Sequence, residues 1–190
     1  METEKDILDL IKNDKWMMDI LKAARSLNLP DWWVCAGFVR SKIWDVLHEM
    51  KERTPIPDID VIYFDPKNLD ESTEKELELK LKLIFPDLPW SVKNEARMHI
   101  ANNISPYSSA EDAISKFPET ATALGVKLDE TDNLILKAPH GIHDVINLVV
   151  KPTPYFIKNK KLSGIYENRI VKKNWKSNWK RLKVIHLQYY

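Results

Sequence analysis

The run Asp58-Ile59-Asp60-Val61-Ile62-Tyr63-Phe64 constrains this chain more tightly than any other part of it. Rich in β-branched and aromatic residues, it reads as a strand. It starts directly after Thr54-Pro55-Ile56-Pro57, a connection whose two prolines fit neither a helix interior nor a central strand. Alternate strand residues face opposite sides. Asp58 and Asp60 therefore share one face, and Ile59 and Val61 turn to the core. Two carboxylates so placed can hold a pair of hard divalent cations about 4 Å apart. Taken without context, the same spacing also describes a solvated strand edge carrying two acids.

The context upstream is specific. Trp32-Trp33-Val34-Cys35-Ala36 is an apolar run of strand length closed by Gly37, and Val39, Ile43, Val46, Leu47 and Met50 then recur at helical spacing. A glycine between strand and helix lets phosphate approach the backbone near a helix N-terminus. Arg40, one turn in, can reach phosphate oxygens or the aspartate pair. Cys35, the single cysteine, has no partner for an internal disulfide and sits in the apolar run as a small core residue.

Elsewhere helices and strands alternate, which points to an α/β or α+β fold. Residues 4–28 read as helix with a break and new cap at Asn13-Asp14. Thr73 and Glu76 have the spacing of a capping box, as do Ser109 and Asp112. Trp90–Asn94 is a third strand. Val126–Leu128 and Leu134–Leu136 form a hairpin. Ile142, Val145, Ile146 and Val149 form a helical stripe stopped by Pro152 and Pro154. Residues 167–183 read as a basic helix with Trp175 and Trp179 four apart.

Charge is distributed unevenly along the 190 residues. Residues 151–190 hold eleven Lys and Arg and one acid, Glu167 (+10), leaving 18 basic and 27 acidic residues in 1–150 (−9). A basic end of this kind suits an anionic partner such as nucleic acid, or the acidic body of the same chain. Trp175 and Trp179 could stack bases, but an apolar stripe packed on the body, with solvated lysines, is the favoured reading. No run of about 18 apolar residues exists, so no membrane span is expected. The acidic, polar N-terminus and lone cysteine lead to an expected cytoplasmic location.

Ala36-Gly37-Phe38-Val39-Arg40 followed by Pro57-Asp58-Ile59-Asp60-Val61 resembles the head domain of CCA-adding enzymes and bacterial poly(A) polymerases, which carry Gly-Gly-x-Val-Arg-Asp, a helix and Asp-Ile-Asp. Glu111–Lys116 and Thr120–Leu124 resemble a diverged form of a second segment of those enzymes, its paired arginines reduced to Lys116. The chain is also similar to a small bacterial family of nucleotidyltransferase proteins through residues 90–99, 118–123 and 138–141. Ala36 stands where the polymerases have their first glycine, and Ser41 where they have an acid. A third metal-site carboxylate should fall on the strand at 91–95, where Glu95 alternates onto the face of Ser91 and Lys93.

The resemblance implies an α+β fold of the polymerase-β type, a small mixed sheet flanked by helices. It divides the chain into an N-terminal helical segment (1–29), a nucleotidyltransferase core (30–155) and a basic helical appendage (156–190). It further implies transfer of a nucleoside monophosphate from NTP, with Mg2+ or Mn2+ on Asp58 and Asp60 and Glu95 as a third catalytic acid. Gly37, Arg40, Lys93, Arg97 and Lys116 would contact the nucleotide. The acceptor would be an RNA or a small molecule. For Lys93 and Arg97 a solvated strand end is an equal alternative. Two rival readings are a non-catalytic relative that binds nucleotide or RNA, and an interaction module that uses its basic end. His140, His143 and Asp144 have tolerable zinc spacing but no cysteine or third clear ligand beside them; the favoured reading has His140 and Gly141 shaping the turn before a helix, with Asp144 near its N-terminus. Nothing in the sequence marks an oligomeric state.

Overall fold

A computed structural model describes residues 1–102 and 104–187; the last three residues of the 156–190 segment lie outside them. Helices α1 (Glu4–Lys12) and α2 (Lys15–Ser26) lead into β1 (Trp33–Cys35), α3 (Gly37–Leu47), β2 (Ile59–Tyr63), α4 (Glu71–Ile84) and β3 (Trp90–Asn94). Next come α5 (Glu95–Asn102), α6 (Ala110–Ser115), the hairpin β4 (Gly125–Leu128) and β5 (Leu134–Lys137), and α7 (His143–Ile146). The chain ends with β6 (Val149–Val150), α8 (Pro154–Lys158), α9 (Lys160–Lys173) and β7 (Lys183–Val184). Among the described residues no helix is long and apolar enough to cross a membrane.

The main sheet has the order β3-β2-β1-β4-β5, with β2 and β3 parallel and the other pairs antiparallel. It is the small mixed sheet flanked by helices that the resemblance implies. Strand alternation sorts its two faces. Val34, Ile59, Val61, Val92 and Val126 join the large core, together with Ile7 and Ile11 of α1, Trp44 of α3, and Trp175, Trp179 and Leu182 near the C-terminus. Both ends of the chain thus share one core with the sheet. Trp33, Cys35 and Ile62 point the other way, onto Ala110, Ile114 and Ala123.

Edge strand β3 is closed by α4. The backbone amides of Val92 and Asn94 donate to the carboxylates of Glu78 and Glu74, each at 3.0 Å. Residues one helical turn apart match residues two apart on the strand in rise, about 6.0 Å against 6.6 Å. These carboxylates occupy the amides that would otherwise recruit another strand.

Helix α4 is capped by Asp70, whose side chain accepts from the amide of Ser72, and not by a Thr73 box. Strand β3 ends at Asn94, whose side-chain oxygen accepts from the amides of Ala96 and Asp65 while its amide nitrogen donates to the carbonyls of Asp65 and Asn68. That side chain starts α5, so Glu95 belongs to a helix and strand alternation does not set its direction. The stripe at 142–149 is helical only over His143–Ile146. Leu148 then turns at φ 59°, and Val149–Val150 pair with β7. The basic helix is Lys160–Lys173, ended by Asn174 in the left-handed conformation, the usual role of Asn or Gly at a helix end. Trp175–Ser177 form a separate 3-10 turn, so the two indoles do not share one continuous helix.

Candidate active site

Strand β2 lies between β1 and β3, and this sets the environment of Asp60. It pairs with Cys35 on one side and Ser91 on the other. Burial and the neighbouring charge of Asp58 push its carboxyl up to about 6, opposed by the Ser91 hydroxyl and by Lys173 and Arg169. Asp58 precedes the strand, placed by Pro57, and both aspartates line one cavity of about 300 Å3. The two aspartates thus face one space, although only Asp60 belongs to the paired strand.

Gly37 and Arg40 line the same cavity. Ala36 makes the turn into α3 with φ 53° and ψ −113° and no side-chain cap. The amides of the first helical turn are therefore left for another acceptor. A Cβ at Gly37 would stand 3.5 Å from Nη2 of Arg40, inside the space the cavity now offers. Ala36 carries a side chain in a region that favours glycine, at a cost of about 1–3 kcal/mol. Ala36→Gly is therefore expected to stabilise the protein by about 1 kcal/mol in a denaturant titration, the reverse of the usual Ala→Gly cost. A loss of that size would show that the turn is unstrained.

Arg40 is 6% exposed. Its guanidinium carbon lies 5.1 Å from the ring centre of Trp44 and 4.6 Å from that of Trp175. Nη2 sits 3.4 Å from the Ser41 hydroxyl, and Nε has no hydrogen-bond partner among the described residues. Ser41 replaces the acid of the resembling enzymes, so no carboxylate directly follows Arg40 on α3. Burial, with the like charge of Arg169 adding to it, lowers its pKa to about 10 against the opposing pull of Glu119, Asp60 and Asp58.

The opposite wall comes from the C-terminal segment: Arg169, Lys173, Trp175, Asn178 and Trp179. Arg169 is anchored through Nε to Glu119 at 2.7 Å, and Glu119, fully buried, also accepts from Thr122. Trp179 donates to Asp45 at 2.8 Å. Asp45 in turn accepts from both the amide and the hydroxyl of Thr54. The indoles are buried against Trp44, at ring distances of 5.8 and 5.1 Å, so the packed reading holds and they are not free to stack bases.

Other expected residues lie elsewhere. Lys93 and Arg97 turn to Glu74, with ion pairs at 3.2 and 2.9 Å. They brace the α4 contact and do not line the aspartate cavity. Lys116 pairs with Asp112 at 2.9 Å and lines a second cavity of about 380 Å3 together with Glu95, Tyr107 and Tyr155. Glu95 is buried, and desolvation followed by the charge of Asp60 pushes it up to about 7. Among the described residues no three His, Cys, Asp or Glu side chains come close enough together to hold a metal. Glu95 therefore does not close a triad with Asp58 and Asp60, and His140 instead meets the carbonyl of Ser115.

The sequence profile described as Nucleotidyltransferase matches residues 22–184. The chain belongs to this nucleotidyltransferase family. An NMR structure described as revealing a CCA-adding enzyme head domain is 37% identical and superposes with a TM-score of 0.87 over 98% of each chain. The CCA-adding enzyme of Thermotoga maritima in complex with tRNA is 17% identical, with a TM-score of 0.55 over 96% of this nucleotidyltransferase and 42% of the larger enzyme. A CCA-adding enzyme in complex with CTP is 15% identical, with a TM-score of 0.57 over 96% and 43%. These two longer enzymes share the fold, and the chain spans about two fifths of their length. No curated protein matches it.

Sequence reasoning missed Asp45, Glu119, Arg169 and Lys173. The only local signal for the last two is their four-residue spacing, which puts both on one face of α9.

Proposed function

We propose that the chain transfers a nucleoside monophosphate from an NTP to a hydroxyl of an RNA or small-molecule acceptor, with Asp58 and Asp60 holding Mg2+ or Mn2+. The observation that carries this reading is the shared cavity, where the carboxylates of Asp58, just before β2, and Asp60, on it, meet the glycine turn and Arg40. The donor set fits a hard divalent cation: two carboxylates side by side, one held above its ordinary range by burial and by the other. A bound cation would supply Lewis-acid stabilisation of the phosphates and a more acidic acceptor hydroxyl. The protein's own groups orient the nucleotide. Gly37 leaves room for phosphate beside the first-turn amides of α3, and Arg40 offsets its charge. A relative that binds nucleotide without turnover is the second reading, favoured by Glu95 standing outside a three-carboxylate cluster.

Binding of Mn2+ with NTP is expected to broaden the NMR signals of residues 37–40 and 58–60 before all others. Replacing both aspartates by Ala should abolish that broadening while the fold persists. Equal broadening in the double variant would remove the metal assignment.

A further inference from the structure

The cavity holds more positive charge than Asp58 and Asp60 need. Arg40, Arg169 and Lys173 all line it, and Arg169 acts on Arg40 as a repelling like charge. Holding buried or half-buried cations near one another is unfavourable unless an anion joins them. Glu119 answers only part of this, because it engages Arg169 through Nε alone. The Nη groups of Arg169 make no hydrogen bond among the described residues, and its side chain is already held in place at no further entropic cost. Lys173, one helical turn on, makes no ion pair among the described residues, and its charge is felt by Asp60. Arg40 is more than nine-tenths buried, its guanidinium carbon 5.1 and 4.6 Å from the ring centres of Trp44 and Trp175, with Nε unpartnered among the described residues.

We propose that the C-terminal segment completes the nucleotide site, with Arg169 and Lys173 joining Arg40 in a cationic wall that binds the polyphosphate of the NTP. The inference rests on the nucleotidyl-transfer reading and extends it to residues outside the strand–glycine–helix unit. A cavity of about 300 Å3 admits a short chain of phosphates, which fits a triphosphate better than the backbone of a folded RNA. Arg169 can offer its fork to phosphate oxygens and Lys173 a mobile point charge. The segment is not an appendage added to a finished site, because Trp175 and Trp179 dock it on α3 and thereby hold α9 over the aspartates.

The test uses the full chain and reads binding by calorimetry or by the fluorescence of the cavity indoles. Inorganic triphosphate, each NTP with Mg2+, and the matching monophosphates are titrated into wild type, Lys173→Ala, Lys173→Arg and Arg169→Lys. Lys173 is partly exposed and makes no ion pair among the described residues, so its replacement should leave the melting temperature unchanged. Lys173→Ala is expected to weaken triphosphate and NTP binding about tenfold, as for loss of one charge-assisted contact, and to leave monophosphate binding nearly unchanged. Lys173→Arg should retain most of the affinity, and Arg169→Lys should lose several-fold. Wild-type affinity for triphosphate in Lys173→Ala would overturn the cationic wall while leaving the NTP reading in place. A wild type that binds NTP no more tightly than the monophosphate would overturn both.

Discussion

Trp179→Ala is expected to cost about 3–5 kcal/mol of stability, the range for truncating a buried tryptophan, and to lower the melting temperature by roughly 10 °C. Trp179 is 3% exposed and stands edge-on to Trp44 at 5.1 Å. Its indole N–H donates to Asp45, itself buried, so truncation leaves a cavity and also removes one of that carboxylate's three donors. Trp179→Phe keeps most of the packing and should cost about 1–3 kcal/mol, the cost of an under-satisfied buried acceptor. Thermal unfolding of the two variants separates the terms. Because Trp179 and Trp175 hold the segment carrying Arg169 and Lys173, both variants should also weaken triphosphate binding. A tryptophan that merely coats the surface would show neither effect.

Asp60→Asn should raise stability at neutral pH, an unusual sign for a strand residue in a core-facing sheet. The folded-state pKa of Asp60 is raised from 3.8 to about 6, so the folded state binds this proton more tightly than the unfolded chain. The contribution of Asp60 is most favourable below pH 4, declines as pH rises to 6, and is a constant penalty above that. The shift corresponds to about 3 kcal/mol, or about 2 kcal/mol after allowance for screening at the cavity mouth. Asn keeps a hydrogen-bonding group for Ser91 without the charge. The variant should therefore melt about 4–8 °C above wild type at pH 7 and converge on it near pH 4. Added Mg2+ should raise the melting temperature of wild type and leave Asp60→Asn nearly unmoved. A difference that does not depend on pH would show that charge is not the cause.

The parts of this protein legible in the sequence are those written in local patterns. Alternation along β2 turns Asp60 away from the core-facing Ile59 and Val61, Asp58 just before the strand lines the same cavity, and the strand–glycine–helix order brings Gly37 and Arg40 to the same place. The β4–β5 hairpin and the caps at Asp14 and Ser109 were equally local. What was not legible depends on partners distant in sequence. Lys93 lies on β3 beside the aspartate strand and Arg97 just beyond it, yet Glu74 on α4 claims both, and one helical turn of α4 also closes the β3 edge. Glu95 looked like a strand residue because Asn94 gives no sign by itself that Asp65 and Asn68 will lock it as a helix cap. The spacing of Trp175 and Trp179 suggested a helix, but Asn174 turns left-handed between α9 and the indoles. That break seats both rings on Trp44 and leaves Arg169 and Lys173 over the aspartates.

The claim that this cavity transfers nucleotides is decided by pyrophosphate release. Wild type and Asp58→Ala/Asp60→Ala would be incubated with each NTP and Mg2+ against panels of RNA and small hydroxyl-bearing acceptors. The expected result is pyrophosphate and a labelled acceptor with wild type, for at least one pairing, and neither with the double variant. Saturable NTP binding without pyrophosphate from any pairing, or equal release by the double variant, would contradict nucleotidyl transfer at Asp58 and Asp60.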